Sequence, residues 1–197
     1  QRKRTFLKRH PLNKFPLKTK VFVWGRKQIE ILRENYNSDL IDEKVYVSGA
    51  PRFRPIKQSH KDFIRKRMRK KYGKYVLMNS NFGVSTSSSL SSTFAREIWK
   101  DIYEIIDYEI SELKTLETYL DIIKFLEKNL DDDFKILIKV HPAEDIRYYY
   151  YLEKLFKKVF IVGKTSLPIS DFILGSIFSI STRCTTLIES KILNTQS

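Results

Sequence analysis

Phe134-Lys-Ile-Leu-Ile-Lys-Val-His-Pro142 is the stretch that decides the fold. Residues 134–140 form a short apolar run of the kind found in buried strands, and the run stops at His141-Pro142. Similar runs occupy residues 74–78, 159–162 and 177–181. Apolar residues at helical spacing fill the stretches 93–129, 144–158, 170–175 and from 185 onward. This alternation predicts an α/β fold with a Rossmann-like, doubly wound and mainly parallel sheet.

The first 73 residues carry a shorter and more basic set of elements. We expect strands at 20–24 and 44–48, a helix at 26–36 and a basic helix at 59–72. Ser59 is the expected N-cap of the basic helix, and Gly73 is its expected C-terminal stop. We therefore assign residues 1–73 to the end of an N-terminal domain with an interdomain crossing, and residues 74–197 to a second, truncated domain.

Two segments between the predicted strands are less regular. Seven of the nine residues in 84–92 are Ser or Thr, which predicts a loop. The pattern at 93–129 fits either one long helix or a helical hairpin, and three aspartates at 131–133 end it. Neither end of the chain resembles a natural terminus, so we expect a fragment of a longer protein.

The composition argues against several classes of protein. No apolar run approaches 18 residues, so no membrane span is expected. The single cysteine, Cys184, excludes an intramolecular disulfide framework and fits a cytoplasmic location. The three histidines and this cysteine are scattered along the chain without metal-ligand spacing, so we expect no metal and no cofactor.

The positive charge is confined to one part of the chain. Residues 1–74 contain 23 Lys and Arg against 6 Asp and Glu, whereas residues 75–197 contain 14 against 17. The densest segment begins at Lys61 and ends at Lys71, with seven basic residues in eleven. It suits an anionic membrane surface, nucleic acid or a phosphorylated substrate, or it is a solvated helix face. Nucleic acid is the weaker interpretation because no RNA-binding aromatic motif accompanies the charge.

The candidate site lies where the predicted strands end. Ligands of such sheets bind beyond the carboxyl ends of the strands, often with a phosphate at a helix N-terminus. The candidate residues, in chain order, are Asn81, Gly83, Lys139, His141, Thr185, Thr186 and Glu189. Backbone N–H groups and the hydroxyls of Thr185 and Thr186 suit a diphosphate, and Glu189 one turn later suits a ribose hydroxyl.

Each of these segments also has a purely structural interpretation. Asn81 and Gly83 favour turns, and a histidine beside proline is common in loops. Thr185 with a following acid is also typical of a helix N-cap. No phosphate-binding Gly-x-x-x-x-Gly-Lys-Ser/Thr loop, no Gly-x-Gly-x-x-Gly motif and no serine nucleophile elbow is present, which argues against P-loop NTPases, dinucleotide dehydrogenases and α/β-hydrolases.

The ordered set of segments resembles bacterial surface carbohydrate biosynthesis proteins with GT-B architecture. The segments are Val21-Phe-Val-Trp-Gly25, Val47-Ser-Gly-Ala-Pro-Arg-Phe53, Val76-Leu-Met-Asn-Ser-Asn-Phe-Gly83, Ile138-Lys-Val-His-Pro-Ala-Glu-Asp145 and Cys184-Thr-Thr-Leu-Ile-Glu189. His-Pro followed by a hydroxyl-rich helix start is also similar to transferases that use CMP-activated sugars. Arg54 departs from the family pattern, which often has an acidic residue after Pro-Arg-x.

The resemblance implies the C-terminal, nucleotide-binding half of a GT-B glycosyltransferase. It implies that His141, Thr185 and Thr186 contact the nucleotide of a sugar donor, and that the acceptor is a polysaccharide or a lipid-linked glycan. It supplies no catalytic residue, and activity from this chain alone is not expected. A CDP-glycerol-type polyol-phosphate transferase and a UDP-sugar 2-epimerase stay open within the same fold, and a basic nucleic-acid-binding module stays open outside it.

Overall fold

The computed structural model describes residues 12–16, 18–50, 56–83, 102–142, 144–182 and 184–193. The chain divides into two compact units, Gln1–Arg54 and Pro55–Ser197. The second unit begins before the basic helix, whereas the sequence pattern predicts a domain boundary after that helix, at Gly73. The serine-rich segment 84–92 and the expected start of the long helix at 93–101 lie outside the described residues.

The first unit contains a two-stranded parallel sheet. Strands β1 (Val21–Val23) and β2 (Val45–Val47) pair in parallel, as Val21 opposite Val45. Helices α1 (Arg26–Arg33) and α2 (Ser38–Lys44) and the 3-10 turn Leu12–Lys14 complete its regular elements among the described residues. Its core consists of Leu12, Val23, Leu32, Ile41 and Val45. The sequence pattern did not predict α2, whose N-cap Asn37 accepts a hydrogen bond from the Asp39 N–H.

The second unit contains a four-stranded parallel sheet. Its strands are β3 (Lys74–Asn79), β4 (Phe134–Lys139), β5 (Val159–Val162) and β6 (Ser179–Ser181). Their spatial order is β5-β4-β3-β6, and every neighbouring pair is parallel. The buried apolar runs predict this arrangement, because strands covered on both faces cannot alternate polar and apolar residues. The prediction of an α/β fold with a parallel sheet is confirmed.

Helices cover both faces of this sheet. They are α3 (Gln58–Tyr72), α4 (Ile102–Asn129), α5 (Tyr150–Leu155), α6 (Ile169–Gly175) and α7 (Thr186–Ile192), with a 3-10 turn at Ile146–Tyr148. On one face, Tyr119 and Ile123 of α4 pack on Val76 and Ile136. On the other face, Ile64 and Met68 of α3 pack with residues of α6 and with Tyr75 and Leu77 of β3. Gly175 ends α6 where any Cβ would overlap the Met68 side chain, so α3 and α6 lie in close contact.

Several helix boundaries differ from the sequence prediction. Helix α3 begins at Gln58 with Lys57 as N-cap, so Ser59 lies inside the helix and the prediction of Ser59 as the cap is wrong. Gly73 ends α3 as predicted, with a φ of 78° that disfavours other residues. Helix α4 is continuous from Ile102 to Asn129 in the described part of the chain. Residues 144–158 form a 3-10 turn and the short α5, because Asp145 caps the turn locally.

The long helix α4 is too polar for a bilayer. Across the residues that the structure describes, no helix combines the length and the apolar character needed to span a membrane.

Candidate functional site at the carboxyl edge of the sheet

The strand order places the candidate segments at one edge. Taken in chain order, the four strands of the second unit are arranged 3-2-1-4, which is how the doubly wound nucleotide-binding fold begins. In that fold the chain changes direction between the first and fourth strands, here β3 and β6, and ligands bind in the crevice at this switch point. Because all four strands are parallel, the residues that follow each of them share this carboxyl edge.

The edge has an open half beside β4 and β5. A pocket of about 410 Å³ lies between the loops that follow these two strands. It is lined by Val140, His141, Pro142, Glu144, Asp145, Ile146, Gly163 and Lys164. His141 and Lys164 are both exposed, and they are the groups at this pocket that can present positive charge or donors to an anion.

Glu144 is a buried residue of the pocket whose carboxylate links neighbouring loops by hydrogen bonds. Its carboxylate accepts a hydrogen bond from the Phe82 N–H at 2.8 Å and another from the Tyr149 hydroxyl. Ser80 also hydrogen-bonds to this carboxylate, and the Ser80 oxygen accepts the His141 N–H at 3.0 Å. Burial raises the pKa of Glu144 above its usual value, although these hydrogen bonds oppose the shift. Glu144 thus joins the loop after β3 to the loop that carries His141.

The neighbouring acid, Asp145, has the opposite electrostatic character. Its carboxylate accepts hydrogen bonds from the Arg147 side chain at 3.0 Å and from the Arg147 N–H at 3.0 Å. These bonds lower the pKa of Asp145 to about 2. Because Asp145 already has a guanidinium partner, its charge opposes an anion in the pocket less than a lone carboxylate would.

At the switch point between β3 and β6, three of the described polar side chains hydrogen-bond to one another. The Asn79 side-chain amide donates to the Ser181 hydroxyl at 2.8 Å, and the Thr186 hydroxyl donates to the same oxygen at 2.8 Å. Asn79 and Thr186 are buried. Farther along α7, the Ser190 hydroxyl contacts that of Ser179 at 2.7 Å. The Asn79 amide nitrogen and these hydroxyls thus bind one another, whereas the buried Asn79 Oδ1 and Thr182 Oγ1 have no hydrogen-bond partner among the described residues.

Thr185 differs from Thr186 although the two are adjacent. Thr185 is the N-cap residue of α7, yet its side chain makes no capping hydrogen bond, and it is partly exposed. Its carbonyl accepts the N–H groups of Ile188 and Glu189. Glu189 itself is buried on the inner side of α7. Of the three polar residues predicted in this segment, Thr185 is thus the most accessible.

Lys139 is the last residue of β4. Its ammonium group donates to the Gly163 carbonyl and lies 5.8 Å from the centre of the Phe172 ring. Partial burial lowers the pKa of Lys139. These contacts join the ends of β4 and β5, and Lys139 is not among the residues that line the pocket.

The structure brings the predicted residues to one edge but divides them between its halves. His141 lines the open pocket, and Thr185 and Thr186 follow β6 beside the switch point. Asn81 and Gly83 follow β3, the strand between these two groups. Sequence reasoning missed Lys164 and the role of Glu144. The available signal for Lys164 was a lysine two residues after the end of the predicted strand at 159–162.

A metal centre finds no support among the residues with described positions. No group of three or more His, Cys, Asp or Glu side chains in that part of the chain is placed to bind a metal ion.

Comparison with models of protein families finds no match for the chain, and comparison with curated proteins finds none either.

Proposed function

We propose that this chain is the nucleotide-binding half of a GT-B-type glycosyltransferase that builds a bacterial surface polysaccharide at the cytoplasmic side of the membrane. Its donor would be a CMP-linked sugar, and its acceptor a polysaccharide or a lipid-linked glycan. The observation that carries the proposal is the shared carboxyl edge, where His141 and Lys164 line an open pocket between the loops that follow β4 and β5 of a parallel sheet.

The electrostatics of the pocket favour a phosphate group. Lys164 supplies a positive charge and His141 supplies a ring that can donate a hydrogen bond or carry a charge. Of the two acids at the pocket, Asp145 is paired with Arg147, and the pKa of Glu144 is raised by burial. A pocket in which positive groups are exposed and the two acids oppose an anion only weakly suits a nucleotide phosphate better than a neutral sugar alone.

The Thr185 hydroxyl extends the proposed site toward β6. It is the partly exposed hydroxyl at the start of α7, whereas Thr186 is engaged with Ser181. We assign Thr185 to direct contact with the nucleotide and Thr186 to support of the loop that positions it. The resemblance to transferases with a His-Pro motif favours a cytidine nucleotide over other nucleotides.

Calorimetric titration with CMP, CDP and UDP tests the proposal. The proposal predicts that CMP and CDP bind more tightly than UDP. Lys164→Gln should weaken CMP binding about 5- to 30-fold, since hydrogen bonds to charged groups contribute about 1.5–3 kcal/mol and exposure reduces this.

Lys157→Gln is the matched control, because Lys157 is an exposed lysine before the amino end of β5 rather than after its carboxyl end. It should bind CMP as the unmodified chain does. Preferential binding of UDP would favour the epimerase alternative, and preferential binding of CDP over CMP would favour a polyol-phosphate transferase. Absence of binding by all three nucleotides would contradict the proposal.

A further inference from the structure

Helix α3 has one buried face and one strongly basic face. Ile64 and Met68 are buried in the core that α3 shares with α6. On the opposite side, Phe63, Lys66 and Lys70 are exposed, and they follow one another at intervals of three and four residues. This spacing aligns them in one stripe along the outermost side of the helix.

Contacts within the fold separate the seven cations of α3 into two groups. Four of them have partners. Lys61 donates to the Leu193 carbonyl, Arg65 pairs with Asp62, Arg67 pairs with Asp171, and Lys71 lies 5.1 Å from the centre of the Tyr72 ring. The other three are Lys66, Arg69 and Lys70, for which the described part of the chain provides no ion-pair partner. All three side chains are exposed.

Phe63 is an apolar group placed among these charges. Its side chain is 59% exposed. The Arg67 guanidinium lies 5.8 Å from the centre of the ring, and the His60 ring stacks on it at 6.3 Å. A phenylalanine on the most exposed line of a basic helix contributes nothing to the core. An exposed aromatic ring among cations is typical of a helix that lies on a bilayer. In such a helix the ring enters the headgroup region and the cations remain at the membrane surface.

We propose that the exposed face of α3, consisting of Phe63, Lys66, Arg69 and Lys70, docks on an anionic lipid bilayer. A flat surface contacts a straight helix along its whole stripe, so Phe63, Lys66 and Lys70 can touch the same plane together. Non-specific binding of single-stranded nucleic acid usually requires several aromatic side chains on which successive bases stack. The stripe offers one, which favours a lipid surface.

Co-sedimentation with vesicles of phosphatidylglycerol and phosphatidylcholine, compared with phosphatidylcholine alone, tests the inference. We expect binding to the anionic vesicles that weakens as salt screens the charges. The triple variant Lys66→Gln, Arg69→Gln, Lys70→Gln should bind these vesicles roughly 10- to 100-fold more weakly, from the usual contribution of each basic residue at an anionic surface. Phe63→Ser should weaken binding several-fold with the charge unchanged.

The matched control is Lys114→Gln, Lys124→Gln, Lys128→Gln on α4, which removes the same net charge from three exposed helical positions. It should retain most of the binding. Equal losses in the two triple variants would overturn the inference, because net charge alone would then explain the attraction. Absence of vesicle binding at low salt would also overturn it, as would tighter binding to duplex DNA that is insensitive to Phe63→Ser. Circular dichroism of each variant verifies that the helices are intact.

Discussion

The two halves of the carboxyl edge use their polar residues in opposite ways. Between β3 and β6, the buried Asn79 and Thr186 both donate hydrogen bonds to the Ser181 hydroxyl oxygen. Between β4 and β5, His141 and Lys164 face an open pocket. The difference shows that residues at the same edge can serve the fold, as the Thr186 hydroxyl does, or be exposed at a pocket, as Lys164 is.

The largest expected effect comes from removing the carboxylate beneath the open half. Glu144→Ala leaves the Phe82 N–H and the Tyr149 hydroxyl buried without their acceptor. At about 1–3 kcal/mol for each unsatisfied group, the free energy of unfolding should fall by about 2–4 kcal/mol. Urea denaturation measures this loss.

Glu117→Ala, at an exposed position on α4, is the control and should leave the urea midpoint nearly unchanged. If Glu144→Ala unfolds at the same urea concentration as this control, the carboxylate does not support the pocket as described.

The two adjacent threonines sharpen the comparison further. Thr186→Val keeps the side-chain shape but removes the hydrogen bond to Ser181, so it should lower the free energy of unfolding by about 1 kcal/mol. Thr185→Val should leave stability almost unchanged and weaken CMP binding about 2- to 10-fold, since a neutral hydroxyl contributes about 0.5–1.5 kcal/mol. Denaturation and calorimetry on both variants separate the two roles. The reverse pattern, with Thr186 controlling affinity and Thr185 stability, would show that the assignments are exchanged.

The smallest expected effects are changes of folding stability with pH. These changes have opposite signs at the neighbouring acids Glu144 and Asp145. Because the pKa of Glu144 is raised in the folded state, its protonation stabilises the fold at acid pH. The stability of the unmodified chain relative to Glu144→Gln should therefore be greatest below the ordinary glutamate pKa. It should decline as the pH rises through the raised value.

The pKa of Asp145 is lowered to about 2, mainly by the Arg147 side chain. The stability that Asp145 adds, measured against the Asp145→Asn variant, should be fully present above the ordinary aspartate pKa. It should disappear as the pH falls toward about 2. Urea midpoints measured over roughly pH 3 to 8 compare the two acids. Parallel pH dependences in both variants would contradict this description of the pocket.

Much of the fold could be predicted from the sequence because the strands of the second unit are buried on both faces. The runs at 74–78, 134–140 and 159–162 correspond closely to β3, β4 and β5. The expected strand at 177–181 pairs with β3 through Ser179–Ser181, and Ile177 and Phe178 also exchange backbone hydrogen bonds with that strand. Helix α2 was missed because a helix of seven residues with three acids carries little apolar periodicity.

The site was less predictable because its two halves differ in burial, not in residue type. Nothing in the sequence Cys184-Thr-Thr186 distinguishes a hydroxyl that bonds to Ser181 from one that is partly exposed. The role of Glu144 depends on contacts with Phe82, 62 positions earlier in the chain, and with Tyr149. Strand order brings these groups together, and local patterns do not specify strand order.

The most direct test of the proposed site is chemical-shift mapping by NMR as CMP is added to the isotopically labelled chain. The account predicts that the backbone amides most affected are those of His141, Gly163, Lys164 and Thr185, at the carboxyl edge of the four-stranded sheet. Amides at the opposite edge, such as those of Lys74 and Phe134, should not shift. Changes centred on that opposite edge or on the first unit, with His141 and Lys164 unaffected, would contradict it.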